Sequence, residues 1–419
     1  MTRRIAVYIV VTVVLHVAIA VGSYAAMRWA EATGKPVFRN LVRGLVFADV
    51  PKYYEHANNF AEGMIPYRDD PIEYPLFALP FVFAPRLLAG SQSGFVALFA
   101  AEMLAFDALL VALVAWRIAG SGDLDRLPSR LAWLTAFFAT VSPFVMGRYD
   151  AVPAVLGFAA ACAWFSGRGA LGGGLSALGA LVKIVPGAVA LPGIIGELMG
   201  WTRPRGRGTM AFGFVFLAGV AAWFAIGGSG VLDSIRYHSE RQVEIGSVPA
   251  GVLWLVGWAK GDAMAVFQDH ESLNLDAPGS YNVARLAVYV QAIVMLFVAW
   301  GFVKNRGRDP FRFAGAAVLA FALGGKVLSP QYLIWVMPFI AVQNGRVGRV
   351  ARPVFLLGGI LTMVLYPWSF RALPQLEPWA FFVLNARNGA LVLLLAVLVL
   401  GSGDGEGSLA EPTLPSRLS

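Results

Sequence analysis

The amino-acid sequence predicts an all-α integral membrane protein, and both its composition and its long apolar runs support this prediction. Of 419 residues, 58% are hydrophobic and 14% are charged, whereas soluble globular proteins carry about 25% charged residues. The mean hydropathy is +0.66, and several apolar runs reach the roughly 20 residues that a transmembrane helix needs. A soluble globular fold is therefore excluded.

The charged residues and the cysteine content narrow the class further. Thirty-three Lys and Arg against 25 Asp and Glu give a net charge of +8. The basic residues form no long run, so we expect membrane lipids rather than nucleic acid as the surroundings of this chain. The one cysteine, Cys162, permits no internal disulfide and no cysteine-based metal site. We expect neither a metal nor a cofactor.

Most of the transmembrane helices are predicted directly by the apolar runs. The run from Ile5 to about Met27 is too long for the apolar region of a signal peptide. It is predicted to be a retained first helix with Arg3 and Arg4 inside. Further helices are predicted at 93–116, 131–147, 150–166, 211–228, 282–303, 353–368 and 381–400.

Two apolar stretches are each too long for one helix. Lys183 in the stretch 169–200 and Lys326 in the stretch 312–343 are each followed within four residues by a proline. Proline cannot continue the hydrogen bonds of a helix, and a lysine inside the bilayer is costly. Each stretch is therefore predicted to form two short helices that meet at a polar tip.

The apolar stretch 74–90 decides the topology. It carries a proline every five residues, which suits a bent or membrane-lying helix better than a spanning one. If it does not cross, several basic groups fall on the same side as Arg3 and Arg4, as expected for cytoplasmic loops. These groups are Arg117, Arg126 and Arg130; Arg168; Arg203, Arg205 and Arg207; Lys304, Arg306 and Arg308; and Arg346, Arg349 and Arg352. The positive-inside rule thus predicts about 12 spans with both termini inside.

We predict a single polytopic membrane domain over residues 1–400. The outer face holds the long loop 30–92 and a second outer segment at 229–281. Within the second segment, 249–259 is too short to span and is predicted to be a re-entrant or juxtamembrane helix. The tail 401–419 is rich in Gly, Ser, Glu and Pro, which predicts disorder on the cytoplasmic side.

The outer loop 30–92 contains a candidate catalytic residue. Asp49 precedes a short predicted helix that ends before Gly63. Its side chain either caps this helix or is a carboxylate at the membrane face, free to accept a proton. The later acidic residues of the loop are expected to be solvated in turns or to pair with Arg68: Asp69, Asp70 and Glu73.

The two predicted tips each present a cation on the outer face. A lysine in an apolar surrounding either extends to the membrane surface or binds an anion. We expect Lys183 and Lys326 to face a ligand. The outer turn between two further helices carries Arg148 beside Asp150, where the carboxylate is either part of a site or the cap of the next helix.

The loop that follows the predicted span 211–228 contains His238 and Arg241 among carboxylates. Such a group either binds phosphate or forms a solvated, ion-paired helix face. The other histidines are expected to be incidental, since no pair has the spacing of metal ligands: His16, His56 and His270. His16, on the apolar first helix, has no polar neighbour nearby in the sequence.

One candidate base and several separated cations on the outer face indicate a type of chemistry. Cations stabilise the charge that grows on a departing phosphate, and a carboxylate takes the proton from an attacking hydroxyl. Nucleotide sugars are normally cytoplasmic, so a sugar transfer on the outer face would need a donor carried by a lipid. The sequence has neither a nucleophile-elbow pattern nor a phosphate-binding P-loop.

An ordered set of motifs resembles a known enzyme family. The set is Asp49, Tyr54, Ala57, Gly63-Met-Ile-Pro66-Tyr67-Arg-Asp, Glu73-Tyr74-Pro75, Gly147-Arg-Tyr-Asp150, Lys183-Ile-Val-Pro186, His238-Ser-Glu-Arg241 and Lys326-Val-Leu-Ser-Pro-Gln-Tyr332. It is similar to the polyprenol-phosphate-mannose-dependent mannosyltransferases of GT-C fold, the family of mycobacterial lipid-mannoside enzymes. The resemblance covers about 45–335, and it departs from the family at Leu76, where a second proline is frequent.

The resemblance implies a fold, a reaction and a set of site residues. It implies a GT-C-type bundle in a bacterial plasma membrane, with sugar transfer from a polyprenyl phosphate to a lipid or glycan acceptor, with inversion, on the extracytoplasmic face. Asp49 would be the catalytic residue, and the donor phosphate would meet Lys183, His238, Arg241 and Lys326. Further motif residues are expected to bind substrate: Tyr54, Tyr67, Arg68, Glu73, Arg148, Asp150 and Gln331.

Two other classes of protein also fit parts of the sequence. A polytopic lipid or solute transporter would place Lys and Asp in the bilayer, but the commonest architectures predict a symmetry-related second half, and no internal repeat is visible. A membrane acyltransferase would need an intramembrane histidine. His16 is the candidate, and it is expected to lack a polar partner.

Overall fold

A computed structural model describes residues 2–34, 42–202, 205–369 and 371–402, and the fold is 75% helical. Arg203 lies outside these residues, and so does the tail that is predicted to be disordered, apart from 401 and 402. The α-helices are α1 (Thr2–Ala32), α2 (Val50–Ala61), α3 (Leu79–Phe83), α4 (Gln92–Gly120), α5 (Leu127–Val145), α6 (Ala151–Trp164), α7 (Gly169–Val182), α8 (Ala190–Leu198), α9 (Arg207–Gly227), α10 (Gly230–Glu240), α11 (Val248–Lys260), α12 (Ser280–Lys304), α13 (Pro310–Gly324), α14 (Leu333–Ala341), α15 (Gly345–Leu365) and α16 (Pro378–Leu400).

The fold is that of a helical membrane protein. Among the described residues, six helices are long and apolar enough to cross a membrane: α1, α4, α9, α12, α15 and α16. The shorter helices α6, α13 and α14 are buried along nearly their whole length. They therefore form the centre of the bundle, and longer helices with exposed apolar side chains surround them.

A polar seam joins α1 to α5. Nε2 of His16 lies 3.2 Å from Oγ1 of Thr135, and Oγ of Ser23 lies 2.7 Å from Oγ of Ser142. Because the partners are spaced equally along both helices, α1 and α5 run parallel and in register. The chain between α1 and α4 therefore begins and ends at the same end of the bundle. If the stretch 74–90 does not cross the membrane, α1 must end and α4 must begin at the same end of the bundle, as they do here.

His16 also has an acidic partner, so the expectation that it lacks a polar neighbour is wrong. Its Nδ1 lies 2.7 Å from Oδ2 of Asp107 on α4, and its ring stacks on Phe138. No local pattern predicts this contact, because Asp107 lies in a different apolar run. One fully buried imidazole thus connects three helices.

The stretch 74–90 folds into a series of short turns. A 3₁₀ turn at Leu76–Ala78, the helix α3 and a second 3₁₀ turn at Ala84–Leu87 follow one another. Pro80 and Pro85 stand in the first turn of α3 and of the second 3₁₀ segment. Proline fits there because the first N–H groups of a helix have no partner within the helix.

The two predicted tips are present. Helix α7 ends at Val182, Lys183 is extended, and a 3₁₀ segment at Val185–Val189 leads into α8. In the second stretch, α13 and α14 are separated by an irregular segment and the 3₁₀ turn Pro330–Tyr332. In both stretches the proline occupies the first turn of the segment that follows the break.

The segment 229–281 contains a β-hairpin, which departs from the predicted all-α fold. Strands β1 (Ala265–Asp269) and β2 (Ser272–Asp276) form an antiparallel hairpin, with Asp269 opposite Ser272. Its tip reaches two helices: Oη of Tyr237 on α10 donates to the carbonyl of His270 at 2.7 Å, and Lys52 on α2 pairs with Glu271 at 3.2 Å. The predicted juxtamembrane segment 249–259 lies within α11.

Candidate functional site

The candidate site lies at one end of the bundle, which we call the Asp49 end. The loop before α2, the turn between α5 and α6, both proline-broken tips and α10 meet there. The residues with mutual contacts or electrostatic interactions at this end are Asp49, Glu73, Arg148, Asp150, Lys183, His238, Arg241 and Lys326.

Asp49 occupies the N-cap position of α2 but does not act as a cap. Its backbone is helical, and its side chain makes no capping hydrogen bond. Instead, Oδ2 forms an ion pair with a guanidinium nitrogen of Arg148 and lies 3.4 Å from the hydroxyl of Tyr53. The side chain is 30% exposed. Of the two roles that the sequence allows, a carboxylate directed at a polar site fits this geometry.

Arg148 is largely buried at the turn between α5 and α6. It donates to the carbonyl of Leu45 at 3.1 Å, and its buried Nε has no hydrogen-bond partner among the described residues. Burial lowers the pKa of Arg148 to about 10, against the opposing effect of Asp150. Arg148 is therefore still a cation at neutral pH and keeps one unused N–H donor.

Lys183 is enclosed by a carboxylate and aromatic rings. Its Nζ lies 2.7 Å from Oδ1 of Asp150, which is 1% exposed. The same Nζ lies 4.5 Å from the ring centre of Tyr149 and 5.0 Å from that of Trp335, within the range of cation–π attraction. Burial lowers the pKa of Lys183, and Asp150 opposes this effect. Asp150 makes no capping bond to α6, so its charge serves Lys183.

Three more basic side chains come from α10 and the second tip. Nε2 of His238 donates to the carbonyl of Glu73 at 2.9 Å, and Nζ of Lys326 donates to the carbonyl of Ser239 at 2.7 Å. Arg241 follows α10 directly, and its buried Nε has no hydrogen-bond partner among the described residues. Two arginines at this end thus each retain an unused N–H group.

These cations lie close enough to repel one another. Desolvation lowers the pKa of Lys183, His238 and Lys326, and the charge of Arg241 lowers each of them further. Like charges gathered at one place disfavour the protonated form of each group. A bound anion would relieve this repulsion, so the cluster is suited to a phosphate.

The acidic residues between α2 and α3 separate into different roles. Glu73 pairs with Lys52 at 3.8 Å and interacts electrostatically with His238, so it belongs to the site. Asp70 is buried and lies 2.8 Å from Nδ1 of His56. The expectation that Asp70 is solvated is therefore wrong, because a neighbouring imidazole on α2 gives its carboxylate a buried partner.

Other predicted substrate-binding residues mainly hold the loop together. Tyr54 packs against Phe95, Tyr67 donates to the carbonyl of Tyr74 at 2.7 Å, and Arg68 donates to the carbonyl of Ala225 at 3.1 Å instead of pairing with the acidic residues. Gln331 is half-buried in the 3₁₀ turn of the second tip. Their contacts with a substrate stay a prediction.

Several residues at the site were not found from the sequence. Tyr53, Tyr74 and Tyr149 pack edge to face around Asp49 and Lys183, with ring centres 5.4–6.2 Å apart. Tyr74 and Tyr149 lie within the motifs and Tyr53 lies beside Tyr54, which belongs to them, but nothing local shows which tyrosine faces the site.

A buried polar network lies behind Arg241 and Lys326. Glu244 accepts N–H groups from Gly246 at 2.9 Å and Leu328 at 3.1 Å. Arg387 on α16 is fully buried, donates to the carbonyl of Gly246 and interacts electrostatically with Glu244. The network connects α16 to the second tip and holds the loop after α10 in place. An arginine inside a predicted span was the available signal.

Among the described residues there is no group of three or more His, Cys, Asp or Glu side chains that could hold a metal ion. A comparison with known protein families finds no match for this sequence. A search of curated proteins also finds no similar protein.

Proposed function

We propose that this protein is a glycosyltransferase of GT-C type in a bacterial plasma membrane. It moves a sugar from a polyprenyl phosphate to a hydroxyl of a lipid or glycan acceptor on the extracytoplasmic face, with inversion at the anomeric carbon. The resemblance to the mannosyltransferases indicates that this sugar is mannose. The observation that carries the proposal is the position of Asp49 beside a cluster of cations with unused N–H donors on Arg148 and Arg241.

The reaction assigns one role to the carboxylate and another to the cations. The acceptor oxygen attacks the anomeric carbon, the bond from that carbon to the phosphate oxygen breaks, and its electron pair stays on the phosphate. Asp49 takes the hydroxyl proton as general base. Lys183, Arg241 and Lys326 stabilise the charge that grows on the phosphate, which leaves without protonation.

The proposal includes a topology with twelve spans and both termini inside. One passage is assigned to each of α1, α4 to α9 and α12 to α16. Contacts at the end opposite Asp49 support this assignment: Arg130 donates to Oδ1 of Asn344 at 2.6 Å, and Arg312 donates to the carbonyl of Gly401 at 2.8 Å. These contacts join the start of α5 to α15, and the start of α13 to the end of α16.

The buried His16 does not favour the acyltransferase alternative. Its side chain is fully buried, and both ring nitrogens have partners in Asp107 and Thr135. A histidine that acts on a substrate needs a nitrogen that the substrate can reach. The contacts of His16 therefore support a role in joining helices.

The proposal is tested by transfer of labelled mannose from synthetic polyprenyl-phosphate mannose to a lipid acceptor extract by the purified protein. Asp49→Asn keeps the size of the side chain but removes the proton acceptor, so turnover should fall about 10²–10⁴-fold. Asp233→Asn, the same change at a residue of α10 whose side chain is 68% exposed, is the matched control and should keep wild-type turnover.

Two results would contradict the proposal. Wild-type turnover by Asp49→Asn would remove Asp49 as the base. The wild-type protein could also fail to consume any polyprenyl-phosphate sugar although a thermal unfolding measurement shows that it is folded. That result would show that polyprenyl-phosphate sugars are not its donors.

A further inference from the structure

The ion pair joins Asp49, the proposed general base, to Arg148, a cation that weakens Asp49 as a base. Asp49 has to accept a proton, yet its Oδ2 already receives Arg148 and the hydroxyl of Tyr53. A carboxylate in contact with a guanidinium is a weaker base than a free one. In this state Asp49 is therefore poorly prepared to act.

Arg148 has the contacts of a residue that can change partner. Among the described residues, its side chain has one hydrogen bond apart from the contact with Asp49, to the carbonyl of Leu45, and its Nε has no partner. On the other side it interacts electrostatically with Lys183, in the cation cluster. The planar guanidinium fork fits a carboxylate and a phosphate equally well.

We propose that Arg148 is shared between Asp49 and the donor phosphate. When the phosphate binds among the cations, Arg148 turns its N–H groups toward it and releases Asp49 as a free base. This inference rests on the proposed function and adds an order to it, because Asp49 becomes competent only after the donor has bound. Without donor, the ion pair keeps the base inactive.

The exchange makes a prediction about binding that a simple phosphate site does not make. If Asp49 competes with phosphate for Arg148, removal of the Asp49 charge frees the guanidinium. Asp49→Asn should then bind polyprenyl phosphate about fivefold or more tightly than wild type, the usual lower range for coupling between two sites. A site without exchange predicts unchanged or weaker binding.

The experiment measures the dissociation constant of polyprenyl phosphate for the full chain in lipid nanodiscs. Four proteins form a cycle: wild type, Asp49→Asn, Arg148→Gln and the double variant. The gain from Asp49→Asn should disappear when Arg148 is already Gln. Asp233→Asn controls for the general loss of one negative charge at this end, and Asp49→Ser is a second neutral variant if Asp49→Asn folds poorly.

The possible outcomes separate this inference from the proposed function. Tighter binding by Asp49→Asn that depends on Arg148 supports the exchange. Equal or weaker binding, or a gain that persists with Arg148→Gln, overturns the exchange and leaves the proposed function intact. If wild type does not bind polyprenyl phosphate, the donor site is wrong, and the exchange fails with it.

Discussion

Nζ of Lys183 lies 2.7 Å from Oδ1 of Asp150, although these residues belong to different helix connections. The carboxylate is 1% exposed, so it lies in a setting where an unpaired charge is strongly unfavourable. The carboxylate of Asp150 favours the protonated form of Lys183, against the burial that lowers the pKa of this lysine. The pair also means that any change at Lys183 affects stability as well as ligand binding.

We expect Lys183→Ala to weaken the use of donor about tenfold to a hundredfold. The loss of one charged hydrogen bond to a phosphate is typically about 1.5–3 kcal/mol, and about 1.4 kcal/mol corresponds to a factor of ten. The measurement is the donor KM in the transfer assay. Lys260→Ala, at an exposed lysine that ends α11, is the control and should have no effect.

Stability has to be separated from binding in this experiment. Lys183→Ala leaves Asp150 without its partner and should lower the thermal unfolding temperature. Lys183→Ala combined with Asp150→Asn removes both charges and should recover stability while donor use stays poor. Recovery of donor use in the double variant would show that Lys183 acts only on folding.

We expect the connection between α4 and α5 to lie on the cytoplasmic side. This expectation follows from the parallel arrangement of α1 and α5 and from the basic residues around the connection. With the buried Cys162 replaced by Ala, a cysteine at Ser129 should be protected from an impermeant outside reagent. A cysteine at the exposed Ser93, near the start of α4, should label from outside. Outside labelling at Ser129 would contradict the twelve-span topology.

Local sequence properties were sufficient to predict the helix breaks. Pro186 and Pro330 remove N–H donors from their own turns, so the breaks in 169–200 and 312–343 are local consequences of the sequence. The β1–β2 hairpin was not predictable in this way. Its tip is held by Tyr237 and Lys52, which lie on helices distant in the chain.

The same distinction applies to the candidate site. Lys183 and Lys326 were visible because a charge inside an apolar run is exceptional, and His238 and Arg241 were visible because they lie together among carboxylates. The pairing of Asp49 with Arg148 depends on the contact of the start of α2 with the turn after α5, where the rings of Tyr53 and Tyr149 also meet, and no local pattern predicts it. Tyr53 and Tyr54 point in directions about 100° apart on one helix. Only the structure shows that the hydroxyl of Tyr53 lies near Asp49 and that Tyr54 packs on Phe95.

We expect Arg387→Leu to destabilise the protein, because the buried Glu244 would lose the nearby positive charge of Arg387 and keep only the weaker interaction with Arg241. Removal of one partner of a buried charged pair typically costs about 3–5 kcal/mol. The change should lower the thermal unfolding temperature and reduce transfer, since the loop that carries Arg241 and the second tip share this network. Arg285→Leu at an exposed position of α12 is the matched control.

A second variant distinguishes charge from packing at this position. Glu244→Gln combined with Arg387→Leu removes both charges of the pair, so it should be more stable than Arg387→Leu alone. If the double variant is no more stable, then Glu244 and Arg387 are not energetically coupled, and the network does not position the site in the way described.

The affinity for the donor should increase as the pH falls, through His238. Desolvation and Arg241 lower the pKa of His238 below its ordinary value of 6.5, so the free protein carries a neutral imidazole at pH 7. A bound phosphate favours the protonated form of His238, so the pKa of His238 is higher with donor bound than without it. The affinity for the donor therefore rises as the pH falls from 7 through the pKa of the bound protein, and it levels off below the pKa of the free protein. Polyprenyl-phosphate mannose is a phosphodiester and does not titrate in this range, which makes it the suitable ligand.

The stability of the protein should change with pH in the opposite direction. A histidine whose folded-state pKa is lowered binds fewer protons in the folded than in the unfolded state, so its contribution to stability is lost as the pH falls below about 6.5. His238→Gln should remove this part of the pH dependence and should also flatten the donor affinity between pH 7 and pH 5. His56→Gln is the control, because His56 lies beside Asp70 rather than among the cations. A pH dependence of donor affinity that persists in His238→Gln would show that His238 does not contact the phosphate.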